Sequence, residues 1–133
     1  MPCDLGVSNL FHLQEACRVM KDVGMKPRTY RVTATVKNIR GTCPIYKPGD
    51  RMVFEGFYLQ PHQPSPVCIH ALSAMNTLLS PFLHGVGADE LGMGSGPDIG
   101  YLQCPDPGPH YTSGGTVTFE LKRMRLEPRK PKP

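Results

Sequence analysis

A chain of 133 residues with a net charge of +4 has the size of one domain, and a compact fold of that length removes roughly 68% of its extended surface from water. Cysteines are therefore not needed as staples, and five of them, an odd number, argue against a full disulfide framework. No stretch approaches the roughly 18 to 20 apolar residues of a membrane span.

Met1-Pro2-Cys3-Asp4-Leu5 carries neither the basic segment nor the apolar run of a secretory signal, so a reducing, cytoplasmic setting is expected. Residues 1–28 read as a helical leader. Ser8 caps an expected helix with Leu10, Leu13, Cys17 and Met20 on one stripe, and Gly24 stops it. Cys17 reads as a small buried thiol of that stripe, and Cys3 sits in an unpatterned terminus.

Residues 29–126 form the expected main domain. In the stretch Tyr30 to Lys37, Tyr30, Val32, Ala34 and Val36 alternate with Arg31, Thr33, Thr35 and Lys37, the period-two pattern of a half-buried strand. A turn follows over Gly41 to Pro48, and Gly49-Asp50 leads into a second strand near Arg51 to Leu59. A helix is predicted after Pro64, with Ser65 as cap, Pro66 in the first position and Cys68, Ala71, Leu72, Met75, Leu78 and Leu79 as its inward stripe. Pro81 ends or kinks it. The last strand alternates Val117, Phe119 and Leu121 with Thr116, Thr118, Glu120 and Lys122. Proline and glycine crowd residues 60–65 and 85–115, which predicts long ordered loops; Gly92-Met93-Gly94-Ser95-Gly96 lacks the lysine and following helix of a phosphate cradle and reads as a flexible loop. The expected fold class is α+β: a small antiparallel sheet packed on one central helix, with an additional N-terminal helix and long Pro/Gly-rich loops.

Residues 127–133 form a basic, proline-rich tail. Lys122, Arg123, Arg125, Arg129, Lys130 and Lys132 crowd the end of the chain, with Pro128, Pro131 and Pro133 among them. No aromatic residue interleaves them and no recognition motif accompanies them, so a solvated terminus or docking strap is the reading, rather than a nucleic-acid interface.

Three cysteines stand in contexts that expose sulfur. Cys43 and Cys104 each precede a proline inside a turn sequence, where backbone is pushed to extended geometry and the loop is stiffened. Cys-Pro also recurs beside iron–sulfur clusters. Cys68 falls at the helix start, where unpaired amides and the positive dipole end favour a thiolate. Taken alone, Cys68 reads as a packed core thiol; the three together read as a gathered site.

Gly41-Thr42-Cys43-Pro44, Gly49-Asp50, the helix led by Cys68 with Ala71, Cys104-Pro105-Asp106-Pro107 and the strand Val117 to Arg123 resemble, in that order, a widespread family of small uncharacterised bacterial and archaeal proteins. The resemblance spans about Tyr30 to Met124. It implies the strand–turn–strand–helix–strand order and a centre of three cysteines, but no reaction. The turn after Cys43 departs from the family pattern, reading Ile45-Tyr46-Lys47 in place of a Gly-His pair, and the leader is additional.

Three thiolates leave two metal chemistries. Zinc wants four ligands, so His70 or His110 would complete a site of three cysteines and one histidine. An iron–sulfur cluster of the four-iron type can be held by three cysteines with one iron left open. Asp106 is a candidate for the outer shell of such a centre, and its bland reading is a turn carboxylate capping backbone amides. The reading adopted is a small protein holding an iron–sulfur cluster through Cys43, Cys68 and Cys104, as a subunit or accessory of a larger redox or lyase-type enzyme rather than a complete enzyme. A larger protein partner or a homo-oligomer is expected, without membrane or nucleic acid. A structural zinc domain and a metal-free interaction module are the alternatives.

Overall fold

The computed structural model describes residues 29–127. The expected leader helix, with Cys3 and Cys17, and the tail from residue 128 lie outside the described residues. Five strands and one helix follow in the order β1 (Tyr30–Gly41), β2 (Arg51–Glu55), β3 (Tyr58–Leu59), α1 (Ile69–Leu83), β4 (Ile99–Gln103) and β5 (Gly115–Arg125). They form one sheet in the order β3-β2-β1-β5-β4, antiparallel at each junction. The α+β class with a single packed helix holds for this region.

Alternation decides which face is covered. Val32, Ala34 and Val36 of β1, Met52 and Phe54 of β2, and Val117, Phe119 and Leu121 of β5 are buried in one cluster with Ala71, Met75, Leu79, Phe82 and Leu83 of α1. Burying each larger side chain contributes about 1.5–3 kcal/mol. The opposite face carries polar pairs: Arg31 binds Glu55, and Lys37 reaches Glu120 at 3.3 Å. Tyr58 and Tyr101 donate their hydroxyls to the same two carboxylates, each at 3.0 Å. The β1–β5 register shifts between Val36 and Asn38, a bulge that lets Ile39 lie opposite Val117.

The expected second strand is two strands. The backbone turns at Gly56, whose φ is +55°, and Tyr58–Leu59 pair back onto Phe54 and Glu55. Beyond that short β3, residues 60–65 seal the rest of the β2 edge with side chains. Gln63 accepts the Val53 N–H at 2.8 Å and donates to the Val53 carbonyl at 2.7 Å, and the Ser65 hydroxyl accepts the Arg51 N–H at 3.1 Å. Ser65 is thus engaged on the sheet and is not the helix cap. Cys68 is the N-cap residue, with extended backbone, and α1 begins at Ile69. Pro81 does not stop the helix, which runs on to Leu83 before His84 and Gly85 close it with bonds to the Pro81 and Phe82 carbonyls.

Strand β4 lies where only loop was expected. Its inward residues are Gly100 and Leu102, and a methyl group added at Gly100 would fall 2.5 Å from the Met93 side chain. Met93, from the glycine-rich segment, fills the space that a strand residue normally takes. That segment is held by backbone bonds from Ala88 to Pro97, Asp89 to Gly96 and Tyr101 to Met93. Arg123, counted above with the basic cluster, is instead an internal pin. Its side chain is 5% exposed and pairs with Asp98. It also donates to the Phe82 and Val86 carbonyls at 3.0 and 2.7 Å, where α1 ends.

Candidate functional site

Cys43, Cys68 and Cys104 line one cavity of about 470 Å³ at the end of the sheet, together with Pro44, Ile45, Tyr46, His70, Ala71, Pro105, Asp106 and Val117. Three separate elements bring them there. Cys43 follows the end of β1, Cys68 caps α1, and Cys104 follows β4. The first and third loops are drawn together by a cross-strand pair of glycines, Gly41 and Gly115. A Cβ on Gly115 would stand 2.6 Å from the Thr42 nitrogen, and one on Gly41 2.5 Å from the Gly114 carbonyl oxygen. Gly41 also has a φ of +92°, which side-chain-bearing residues rarely adopt.

Two of the sulfurs accept backbone hydrogen bonds. The Tyr46 N–H donates to Cys43 Sγ at 3.3 Å, and the Val117 N–H donates to Cys104 Sγ at 3.2 Å. Such donors fix the direction of the sulfurs, and Cys104 Sγ in turn donates to the Gly115 carbonyl at 3.6 Å. Cys104 is the most enclosed, 8% exposed, whereas Cys43 and Cys68 are half-buried.

Tyr46 ties the site together. Its ring is buried edge-on against Phe119, with centroids 5.5 Å apart. Its hydroxyl accepts the Cys68 N–H at 2.7 Å and donates towards Met52 Sδ at 3.3 Å. Burial pushes its ionisation above the ordinary value of 10.0, and the neighbouring Cys68 and Cys43 add to that, while the Cys68 N–H opposes it. The sequence reading treated Tyr46 only as a departure from the family turn. An aromatic residue between Pro44 and Pro48, in a stretch otherwise built for solvent, was the available signal.

The expected outer residues divide. Asp106 lines the cavity, but its carboxylate is occupied by the loop: Oδ1 accepts the Gly108 N–H at 2.8 Å and the Thr112 hydroxyl. Those bonds, the Thr112 hydroxyl first and the Gly108 amide second, hold its ionisation below the ordinary value. His70 lines the cavity from the first turn of α1. His110 sits in the 105–114 loop with a φ of +52° and is not among the lining residues.

The three sulfurs share a cavity but not a point. Among the described residues, no three His, Cys, Asp or Glu side chains stand close enough to hold a metal ion. A single zinc needs its sulfurs about 2.3 Å from one centre, which here would require the thiol side chains to turn inward. Among the described residues no helix is long and apolar enough to cross a membrane. Comparison with protein-family models, curated proteins and solved structures finds no match.

Proposed function

We propose that this protein holds an iron–sulfur cluster on Cys43, Cys68 and Cys104 and serves as a small subunit or accessory of a larger redox or lyase-type enzyme in a reducing compartment. The observation that carries the reading is the shared lining of one cavity by three sulfurs from positions 43, 68 and 104. A cluster spreads its ligand sulfurs over several irons, so its cysteines need to face a common volume rather than one centre. The cavity volume of about 470 Å³ and the backbone donors to Cys43 and Cys104 fit that demand, because N–H bonds to the sulfurs tune such centres.

A cluster held by three cysteines supplies an open iron that acts as a Lewis acid or an electron relay. The chain's own residues would bind and enclose it. Cys43 and Cys104 are oriented by the amides of Tyr46 and Val117, and the buried Tyr46 and Ala71 form part of the wall. Ile45, 43% exposed on the cavity wall, gives the mouth an apolar side chain suited to a protein partner.

His70 in the lining supports one second reading, a structural zinc on three cysteines and a histidine. Anaerobic purification followed by addition of ferrous iron and sulfide separates the two. Broad brown absorption with bound iron and inorganic sulfide, lost in each of Cys43→Ser, Cys68→Ser and Cys104→Ser, supports the cluster. Stoichiometric zinc without visible absorption supports the second reading, and a colourless protein binding neither metal overturns both.

A further inference from the structure

Helix α1 packs on the face of the sheet that carries Val32, Ala34 and Val36. The residues that alternate with them face the other way, and the register adds their neighbours on β2 and β5. Charge is unevenly divided between the two sides. Residues 29–127 hold eight Lys or Arg and eight Asp or Glu, so the region is neutral in sum. Yet the strand residues of the face away from α1 include Arg31, Lys37, Arg51 and Lys122, and Arg40, which reaches to the Pro107 carbonyl. The acids among them are Glu55 and Glu120, and Glu127 adds one at the corner of Arg31 and Tyr58.

Glu55 and Glu120 are held in the same way. Glu55 binds Arg31 through Oε1 and accepts the Tyr58 hydroxyl through Oε2 at 3.0 Å. Glu120 binds Lys37 through Oε1 at 3.3 Å and accepts the Tyr101 hydroxyl through Oε2 at 3.0 Å. Each tyrosine is the direct cross-strand partner of its carboxylate, and the two occupy the outermost strands, β3 and β4. A tyrosine whose hydroxyl is bound by the residue opposite lies along the sheet. Both rings are about half-exposed, at 44% and 49%. Four strand spacings separate them, about 19 Å across the sheet. With the two carboxylates neutralised, the face presents two fixed rings with a surplus of cations between them.

We infer that this face binds a single-stranded nucleic acid, its bases stacked on Tyr58 and Tyr101 and its phosphates met by the cations between. Every base has a π-face and every phosphate a negative charge, so rings flanking cations suit that ligand. An acidic peptide would answer the charge but leave the rings without partners. The span fits the site sizes of about 4–16 nucleotides found for single-strand binders. The basic end of the chain has no aromatic company in sequence, whereas the sheet brings rings and cations together from distant positions. The cysteine cavity rests on Ala71 and Val117 of the covered side, so this site is independent of the metal reading.

Fluorescence anisotropy of the full, reduced chain tests it, with labelled oligothymidylate and oligouridylate of about 12 nucleotides. The expected result is binding that weakens about tenfold or more between about 50 mM and 200 mM salt. Tyr58→Ala and Tyr101→Ala should each weaken it by about tenfold, while Tyr101→Phe, which keeps the ring, should bind nearly as tightly as the unmodified chain. Lys122→Glu should weaken oligothymidylate and base-free polyphosphate alike, whereas the alanine substitutions should weaken only the oligonucleotides. A preference between the two oligonucleotides identifies the sugar. No binding by the unmodified chain, alanine variants that bind as before, or tighter binding of polyglutamate than of oligothymidylate would each overturn the inference. So would binding lost in the combined Arg129→Ala, Lys130→Ala and Lys132→Ala variant but kept in the face variants, which would assign the nucleic acid to the tail. Circular dichroism confirms that each variant is folded before titration.

Discussion

The hydroxyl of Tyr46 and the backbone N–H of Cys68 meet at 2.7 Å, twenty-two residues apart, and that bond joins the turn of one candidate ligand to the helix start of another. The main-chain N–H of Tyr46 holds Cys43 Sγ at the same time. One residue, through its main chain and its hydroxyl, thus sets the position of two sulfur-bearing segments relative to each other.

Tyr46→Phe leaves the Cys68 amide without its acceptor while keeping the ring. A buried donor left unpaired costs about 1–3 kcal/mol, so urea denaturation should show a loss in that range with an unchanged m-value. Amide exchange at Cys68 should quicken. The phenol also has a pH signature. Its folded ionisation is raised above 10.0, so the folded state keeps a proton that the unfolded state releases. The corresponding stability is complete below pH 10 and declines as pH rises through the folded value. Tyr46→Phe should flatten that alkaline decline.

Gly115→Ala should push the two Cys-Pro loops apart, because the added methyl meets backbone at Thr42 and Arg40 rather than a side chain that can yield. Overpacking of this kind costs typically about 1–3 kcal/mol. Thermal denaturation checks the loss. If the cluster proposal holds, iron bound per chain should fall as well, although every cysteine is still present.

Exposure predicts an order of thiol reactivity in the reduced, metal-free protein. Cys43 and Cys68 are half-buried, and Cys104 is buried with its sulfur held by the Val117 N–H. Iodoacetamide labelling followed by peptide mapping should find Cys43 and Cys68 modified first, with Cys104 waiting on local opening. Uniform labelling of the three at one rate would contradict the geometry.

Acid should weaken the sheet through Glu55. Its carboxylate is held below the ordinary value of 4.5, first by the Arg31 hydrogen bond, with burial opposing and Tyr58 assisting. A carboxylate depressed in the folded state contributes stability that is present above pH 4.5 and lost as pH falls through the folded value. Glu55→Gln should lower stability at pH 7 by up to about 1.5–3 kcal/mol, the scale of a hydrogen bond to a charged group, and the gap to the unmodified chain should narrow below pH 4. Denaturation midpoints across pH 3 to 7 measure it.

Strands β1 and β5 were legible because polar and apolar residues alternate cleanly along them, and the inward stripe of α1 was legible at Ala71, Met75 and Leu79. What escaped were elements whose pattern is completed by residues distant in sequence. Strand β4 turns a glycine inward because Met93 supplies the missing bulk. Ser65 looked like a cap because nothing local reveals that its hydroxyl serves Arg51. The Gly56 turn hid inside a run of strand-forming residues. For the site, the Cys-Pro contexts marked two cysteines and the helix start marked the third. Their shared cavity depends on the Gly41–Gly115 crossing, and the Tyr46 clamp rests on a contact that no spacing rule encodes.

The seal that Gln63 places on Val53 bears on how the molecule behaves in a crowd. Strand β3 covers only Phe54 and Glu55, so a carboxamide stands where a sixth strand would dock, matching both the donor and the acceptor of one residue. Open strand borders recruit other chains into ribbons. Here Gln63, with Ser65 on Arg51, closes this one border of the sheet, and losing the glutamine would leave the Val53 N–H open to an incoming chain.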